Sequence, residues 1–205
     1  MIKIVDVVKI NQKKFKVQTD QKEIAFVVYK GDLLKYGLNI GAEISTGFVG
    51  KIYSEVLLPR AKRRGMYLLE AREYSVASLR DKLQKDGYPD EIIQEVVAYL
   101  SMYRYLDDER YIKAYIRTYA KKKSVQEIKR ALYLKGITDE KIEYALSQLE
   151  EDEMPDEKSL IEKYLKKRKF DSKEATIQER SKMFHFLKNK GFAYDLIVQS
   201  IKCDD

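Results

Sequence analysis

Cysteine, histidine, proline and tryptophan are almost missing from this 205-residue chain. It has one Cys (Cys203), one His (His185), three Pro and no Trp. One cysteine leaves no internal disulfide, and one histidine beside it leaves no set from which to build a His/Cys zinc site. A reducing, cytoplasmic setting is the simple reading. No apolar run approaches the ~20 residues that a membrane span needs. The start, Met1-Ile2-Lys3-Ile4, reads as a strand rather than a signal peptide. No glycine-rich phosphate loop, nucleophile–base pair or metal-ligand spacing occurs. His185 sits among Met183, Phe184 and Phe186, a packing environment with no catalytic partner. The expectation is a protein without enzymatic activity, cofactor or metal.

What is present is charge and apolar side chains in near balance. Hydrophobic residues make up 44% and charged residues 36%, and nine glycines and three prolines leave long stretches free to be helical. The net charge of +7 and pI near 9.1 permit an anionic partner without requiring one.

Residues 1–45 read as a small N-terminal domain in which residues 1–29 alternate as strands do. Ile2 and Ile4 begin the first, Phe15 and Val17 the second, Ile24, Phe26 and Val28 the third, which predicts a small antiparallel three-stranded meander. Residues 46–58 read as a linking helix, ended or kinked by Pro59. From there on the chain repeats itself. Measured from Gly87, Gly136 and Gly191, spaced 49 and then 55 residues apart, apolar residues recur at fixed offsets. Leu83, Leu132 and Leu187 lie four before the glycine, and Leu79, Ile128 and Met183 eight before. Tyr88, Ile137 and Phe192 follow at once, then Ile93, Ile142 and Ile197, then Val97, Leu146 and Ile201. Ser75 and Ser124 stand twelve before the first two glycines as helix caps, while the third repeat has Glu179 there. Asp107 is placed to cap the helix that starts at Asp108, and the adjacent Asp107, Asp108 and Glu109 read as helix-start chemistry rather than metal ligands.

The fold class is therefore mainly α. Three three-helix repeats, at 59–104, 105–150 and 151–205, form a tandem array behind the β-strand domain. A single unit of this size buries little, so stacked neighbours and a curved, elongated array are expected. The three glycines should hold positive φ at the helix ends.

Basic residues recur along the array. Arg63 and Arg64 lie early in the first repeat; Arg72, then Lys121, Lys122 and Lys123, then Lys166, Lys167, Arg168 and Lys169 lie near the first-to-second helix corners; Lys129 and Arg130 add to the second repeat. Two readings stand for these cations. They complement helix C-termini, or they form a shared track for an anionic partner. For Arg72, a structural tie and a partner contact are equally open. The sixteen Tyr fall mostly on apolar helical faces, which suits core packing better than base stacking.

The pattern Arg72-x-x-Ser75-x-x-x-Leu79-x-x-x-Leu83-x-x-x-Gly87, followed by Tyr105-Leu106-Asp107-Asp108-Glu109-Arg110-Tyr111 and by Leu132-x-x-Lys135-Gly136-Ile137, resembles the RecX family of recombination regulators. The likeness runs from about Leu58 to the C-terminus. Ser124 stands where the family often has Gly, the third repeat is diverged, and the N-terminal strands lie outside the common family core. The resemblance implies a non-enzymatic modulator that binds the RecA recombinase filament on DNA and restrains its ATP hydrolysis, extension and strand exchange. It implies RecA and single- or double-stranded DNA as partners, for a monomer with no membrane association. The reading from another class is a general DNA-binding helical adaptor that acts without RecA.

Overall fold

The computed structural model describes residues 1–202, and Cys203 lies outside them. The chain forms two compact units that meet in sequence between Asp107 and Asp108.

The first unit opens with a sheet of β1 (Ile2–Lys9), β2 (Lys14–Thr19), β3 (Ala25–Tyr29) and β4 (Glu43–Ile44), all antiparallel, in the order β3-β2-β1-β4. Its alternation is that of a half-covered sheet: Ile2, Ile4, Val17, Phe26 and Val28 turn inward and are buried. Val17 pairs with Val7 on one side and Phe26 on the other. The fourth strand corrects the expected three-stranded meander. It has only two residues, pairs Ile44 with Ile2, and is too short to show alternation in sequence.

Helix α1 (Lys30–Tyr36) ends on Gly37, and α2 (Thr46–Ile52) is capped by Ser45, whose Oγ accepts the Phe48 N–H at 3.1 Å. Of the end or kink expected at Pro59, the end does not occur. Residues Tyr53–Leu57 wind as a π turn, with the Leu58 N–H donating to the Tyr53 carbonyl, and α3 (Leu58–Ala71) continues with Pro59 in its first turn. Proline lacks an N–H and crowds the carbonyl four residues back; the wider turn just before it takes up that mismatch. The helical path from 46 to 71 therefore runs on from the sheet into the first repeat.

With α4 (Val76–Lys85) and α5 (Asp90–Met102), it encloses one apolar core. Ile4, Phe26, Ile52, Leu57, Leu79, Leu83, Ile93 and Leu100 belong to the same buried cluster. Each such side chain contributes roughly 1.5–3 kcal/mol of transfer free energy. A small sheet of this kind is marginal alone; here Phe26 meets Tyr53 edge-on at 5.9 Å, so the sheet borrows its core from the helices.

The second unit holds α6 (Asp108–Tyr119), α7 (Val125–Tyr133) and α8 (Asp139–Ser147), then a 3-10 turn at Glu151–Glu153, then α9 (Glu157–Lys167), α10 (Ile177–Asn189) and α11 (Tyr194–Ile201). Ile112, Ile116, Ile128, Leu132, Ile137 and Ile142 fill one core; Leu160, Ile161, Leu187, Phe192 and Ile197 fill the next. Glu179 is not a cap. Thr176 caps α10, accepting the Glu179 N–H, while the Glu179 carboxylate takes the Thr176 N–H at 2.9 Å. Thus α10 starts about a turn earlier than α4 or α7, which accounts for part of the longer spacing to Gly191.

The three register glycines have φ of +92°, +73° and +85° at Gly87, Gly136 and Gly191. Two of them are also contact points. A Cβ on Gly87 would lie 2.3 Å from Val27 Cγ2, and one on Gly191 would lie 2.7 Å from Gln126 Cβ. Among the described residues, no helix is long and apolar enough to cross a membrane, and no group of three or more His, Cys, Asp or Glu residues is placed to hold a metal ion.

Gly37 offers a control for these two demands, because it shares the positive φ (+61°) but has open space, with nothing within 4 Å of where a Cβ would stand. Gly37→Ala should cost about 1 kcal/mol from backbone strain alone. Gly87→Ala adds overlap with Val27 and should cost roughly 2–4 kcal/mol. Urea denaturation of the two variants checks the difference; equal losses would mean that close approach contributes nothing.

Candidate nucleic-acid and partner interface

The densest group of cations in the first unit arises from helical spacing. Arg60, Arg63 and Arg64 fall at i, i+3 and i+4 on α3, hence on one face. Arg60 forks onto Asp32, with Nη1 to Oδ2 at 2.5 Å and Nη2 to Oδ1 at 2.9 Å, and Asp32 Oδ2 also accepts the Tyr29 N–H at 2.8 Å. Burial acts to raise the Asp32 pKa. The hydrogen bonds from Arg60 and the Tyr29 N–H, with the charges of Arg60 and Lys35, outweigh it and hold the carboxyl below its ordinary value. Arg64 Nε donates to Asp86 Oδ2 at 2.7 Å. Arg63 is exposed and makes no ion pair among the described residues. Arg60, Arg63, Arg64 and Asp86, with Lys14, Tyr29 and Tyr88, line a cleft of about 420 Å³. Lys14, Tyr29 and Tyr88 are members that sequence reasoning missed. They are far apart in the chain, and only strand pairing of Lys14 with Tyr29 and packing against α3 bring them together.

The corner cations have separate surroundings. Arg72 is exposed, with its guanidinium 4.6 Å from the Tyr74 ring centre. Lys121 and Lys122 are exposed on the turn after α6 and make no ion pair among the described residues, whereas Lys123 lies 4.3 Å over the Tyr119 ring. Lys121 shares a cleft with Arg117, Lys163, Asp152 and Asp156. Lys129 is paired to Glu143. Arg130 reaches the Gly191 corner, its Nη2 lying 3.1 Å from where a Cβ on that glycine would be. Lys166 and Lys167 are exposed in the last turn of α9; Arg168 lies 3.7 Å over Phe186, and Lys169 holds φ +52°, a left-handed conformation closing that helix.

The motif residues serve local structure. Ser75 caps α4 and Ser124 caps α7, both fully buried. Asp108 and Glu109 occupy the first turn of α6, and Asp108 accepts from Lys141 Nζ at 2.8 Å. Ser124 also joins repeats: its Oγ–H donates to the Lys190 carbonyl at 2.6 Å, beside Gly191. Lys190 Nζ meets Glu127 Oε1 at 3.1 Å, and Glu157 Oε1 accepts the Val125 N–H at 2.9 Å. The start of α7 is thus sealed by groups from the third repeat.

Comparison with known proteins adds to this geometry. Residues 61–100 match the family model described as RecX, first three-helix domain, and residues 107–146 match the RecX, second three-helix domain. The chain is 34% identical over 196 residues to the regulatory protein RecX of Bacillus velezensis, spanning 94% of this chain and 73% of that one. It is 31% identical over 190 residues to the Bacillus subtilis protein of the same name, spanning 91% and 70%. A crystal structure of regulatory protein RecX superposes with a TM-score of 0.63 over 98% of both chains at 22% identity, and RecX from Lactobacillus salivarius with 0.58, over 70% of this chain and 94% of that one, at 24%. At those identities the structural likeness is one of fold.

The Asp32–Arg60 fork has a pH signature. A carboxyl with a depressed folded pKa stabilises above its unfolded value, near 3.9, and that stability is lost as pH falls through the folded value. Asp32→Asn should cost roughly 1–3 kcal/mol at neutral pH, and the gap to the parent protein should close below about pH 4. Denaturation midpoints of both proteins across that range test this; a gap that persists unchanged in acid would remove the charge from the explanation.

Proposed function

The chain belongs to the RecX family, and we propose from that premise that it binds the RecA–DNA filament and lowers its ATP hydrolysis, extension and strand exchange without catalysis of its own. Membership in a family of regulatory proteins carries the reading. The exposed cations of the helical repeats support it physically. Arg63, Lys121, Lys122, Lys166 and Lys167 are exposed and present charge to solvent, and Arg72 is exposed with its guanidinium 4.6 Å from the buried Tyr74 ring. Such groups suit the acidic surface of a nucleoprotein filament, where they raise encounter rates at low salt. Repeated units allow one chain to touch a repeating partner more than once, so that weak contacts add through effective concentration. The protein acts as a monomer in the cytoplasm, and the domain division at 1–45, 46–58, 59–104, 105–150 and 151–205 assigns filament contact to the three helical repeats.

Adding the protein to RecA of the same organism on single-stranded DNA should lower ATP turnover, and no effect at several-fold molar excess would overturn the reading. Replacing Lys121 and Lys122 with Glu should weaken filament binding and flatten its salt dependence, while circular dichroism stays unchanged. Lys123 is spared because it lies over Tyr119. Retained binding in this variant would reduce the corner to helix-end electrostatics.

A further inference from the structure

The cleft at the seam between the sheet and α3 has no part in the corner clusters, and Lys14, Tyr29 and Arg60 lie outside both matched family domains. Its electrostatics are uneven. Lys14, Arg60, Arg63 and Arg64 bring four positive charges, and Asp32 and Asp86 neutralise two of them. The paired arginines are fixed in place: Arg60 is held by both Asp32 oxygens, and Arg64 is held through Nε alone. The terminal amino groups of Arg64, the whole Arg63 guanidinium and the Lys14 ammonium have no hydrogen-bond partner among the described residues. They come from two elements, β2 and two adjacent positions of α3, so donors approach the cleft from the sheet and from the helix. Tyr88 adds a phenol. Burial, with Tyr29 and Asp86 nearby, raises its pKa against the opposing pull of Arg64 and Arg60, so at neutral pH it remains a donor.

We propose that this cleft seats a backbone phosphate of a DNA strand, with Lys14, Arg63 and the free end of Arg64 donating to its oxygens. A carboxylate is satisfied by one planar fork, as Asp32 is by Arg60. A tetrahedral phosphate takes donors from several directions, which is what remains here. Anchoring Arg64 on Asp86 removes much of the side-chain ordering cost on binding. The site deepens the filament reading and rests on its DNA component; it gives the N-terminal sheet a direct role, since β2 supplies Lys14.

Fluorescence anisotropy of a labelled single-stranded oligonucleotide, with no recombinase present, tests the proposal. Lys14 and Arg63 hold nothing in the fold, so Lys14→Gln with Arg63→Gln should leave the melting temperature unchanged. The double variant should raise Kd about tenfold and reduce the salt slope by up to about 0.7, the share of one phosphate on a single strand. A control with the same loss of charge, Lys22→Gln with Lys51→Gln, removes two exposed lysines that do not line the cleft and should change Kd less than about twofold. Equal losses in the two double variants would overturn the site, as would a parent protein that binds no oligonucleotide. A polyglutamate peptide that displaces the oligonucleotide at equal charge concentration would overturn the phosphate assignment in favour of an acidic protein. Oligonucleotide binding that depends on Lys14 and Arg63, in a protein without effect on RecA ATP turnover, would keep the site and remove the filament reading. Inhibition of RecA without any oligonucleotide binding would do the reverse.

Discussion

Stacking in this protein depends on a corner where a glycine must do two things at once. The helix end before it requires a left-handed residue, and the neighbouring element closes to a distance that leaves no room for a side chain. At Gly87 the neighbour is Val27 of the sheet; at Gly191 it is Gln126, next to the cap of α7. Ser124 then ties the same corner by donating to the carbonyl of Lys190. Side chains that begin one helix thus also fix the distance to the next repeat. A bulkier residue would both strain the turn and push the neighbour away, and the apolar cores on either side would open.

The second organising feature is how the cations are spent. Arg60 and Arg64 are tied to carboxylates in half-buried pairs, Lys129 faces Glu143, and Lys190 faces Glu127. Lys123 and Arg168 lie on aromatic rings. These interactions hold elements together and leave fewer free cations than the 40 lysines and arginines of the chain suggest. Among the described residues, the cations without an ion pair include Arg63, Lys14 and the exposed lysines at the ends of α6 and α9. A surface that sorts its charge in this way can keep its fold in high salt while losing affinity for an anion, because half-buried pairs are screened less than exposed ones.

The sheet shows where local sequence signals run out. Alternation identified β1, β2 and β3, but β4 is two residues whose only strand-like property is its pairing with Ile2 and Lys3. Pro59 is a helix breaker by local rules, and the π turn ahead of it lets the helix continue because the core on both sides rewards continuity. Glu179 occupied the cap position by register, yet Thr176 three residues earlier offers a hydroxyl and a complete capping box, and the helix starts there.

The amino-acid sequence alone determined the mainly helical class, the repeat of three-helix units, the positive φ of Gly87, Gly136 and Gly191, and the resemblance to RecX. Those properties follow from apolar spacing, caps and the conformational freedom of glycine, all of which act over a few residues. Tertiary structure alone decided that the sheet shares its core with the first repeat, that Ser124 and Gly191 bind one repeat to the next, and that Lys14 joins Arg60, Arg63 and Arg64 around one cleft. Each of these joins residues from distant parts of the chain. Such contacts are set by strand pairing and core closure, and neither leaves a periodic mark in the sequence.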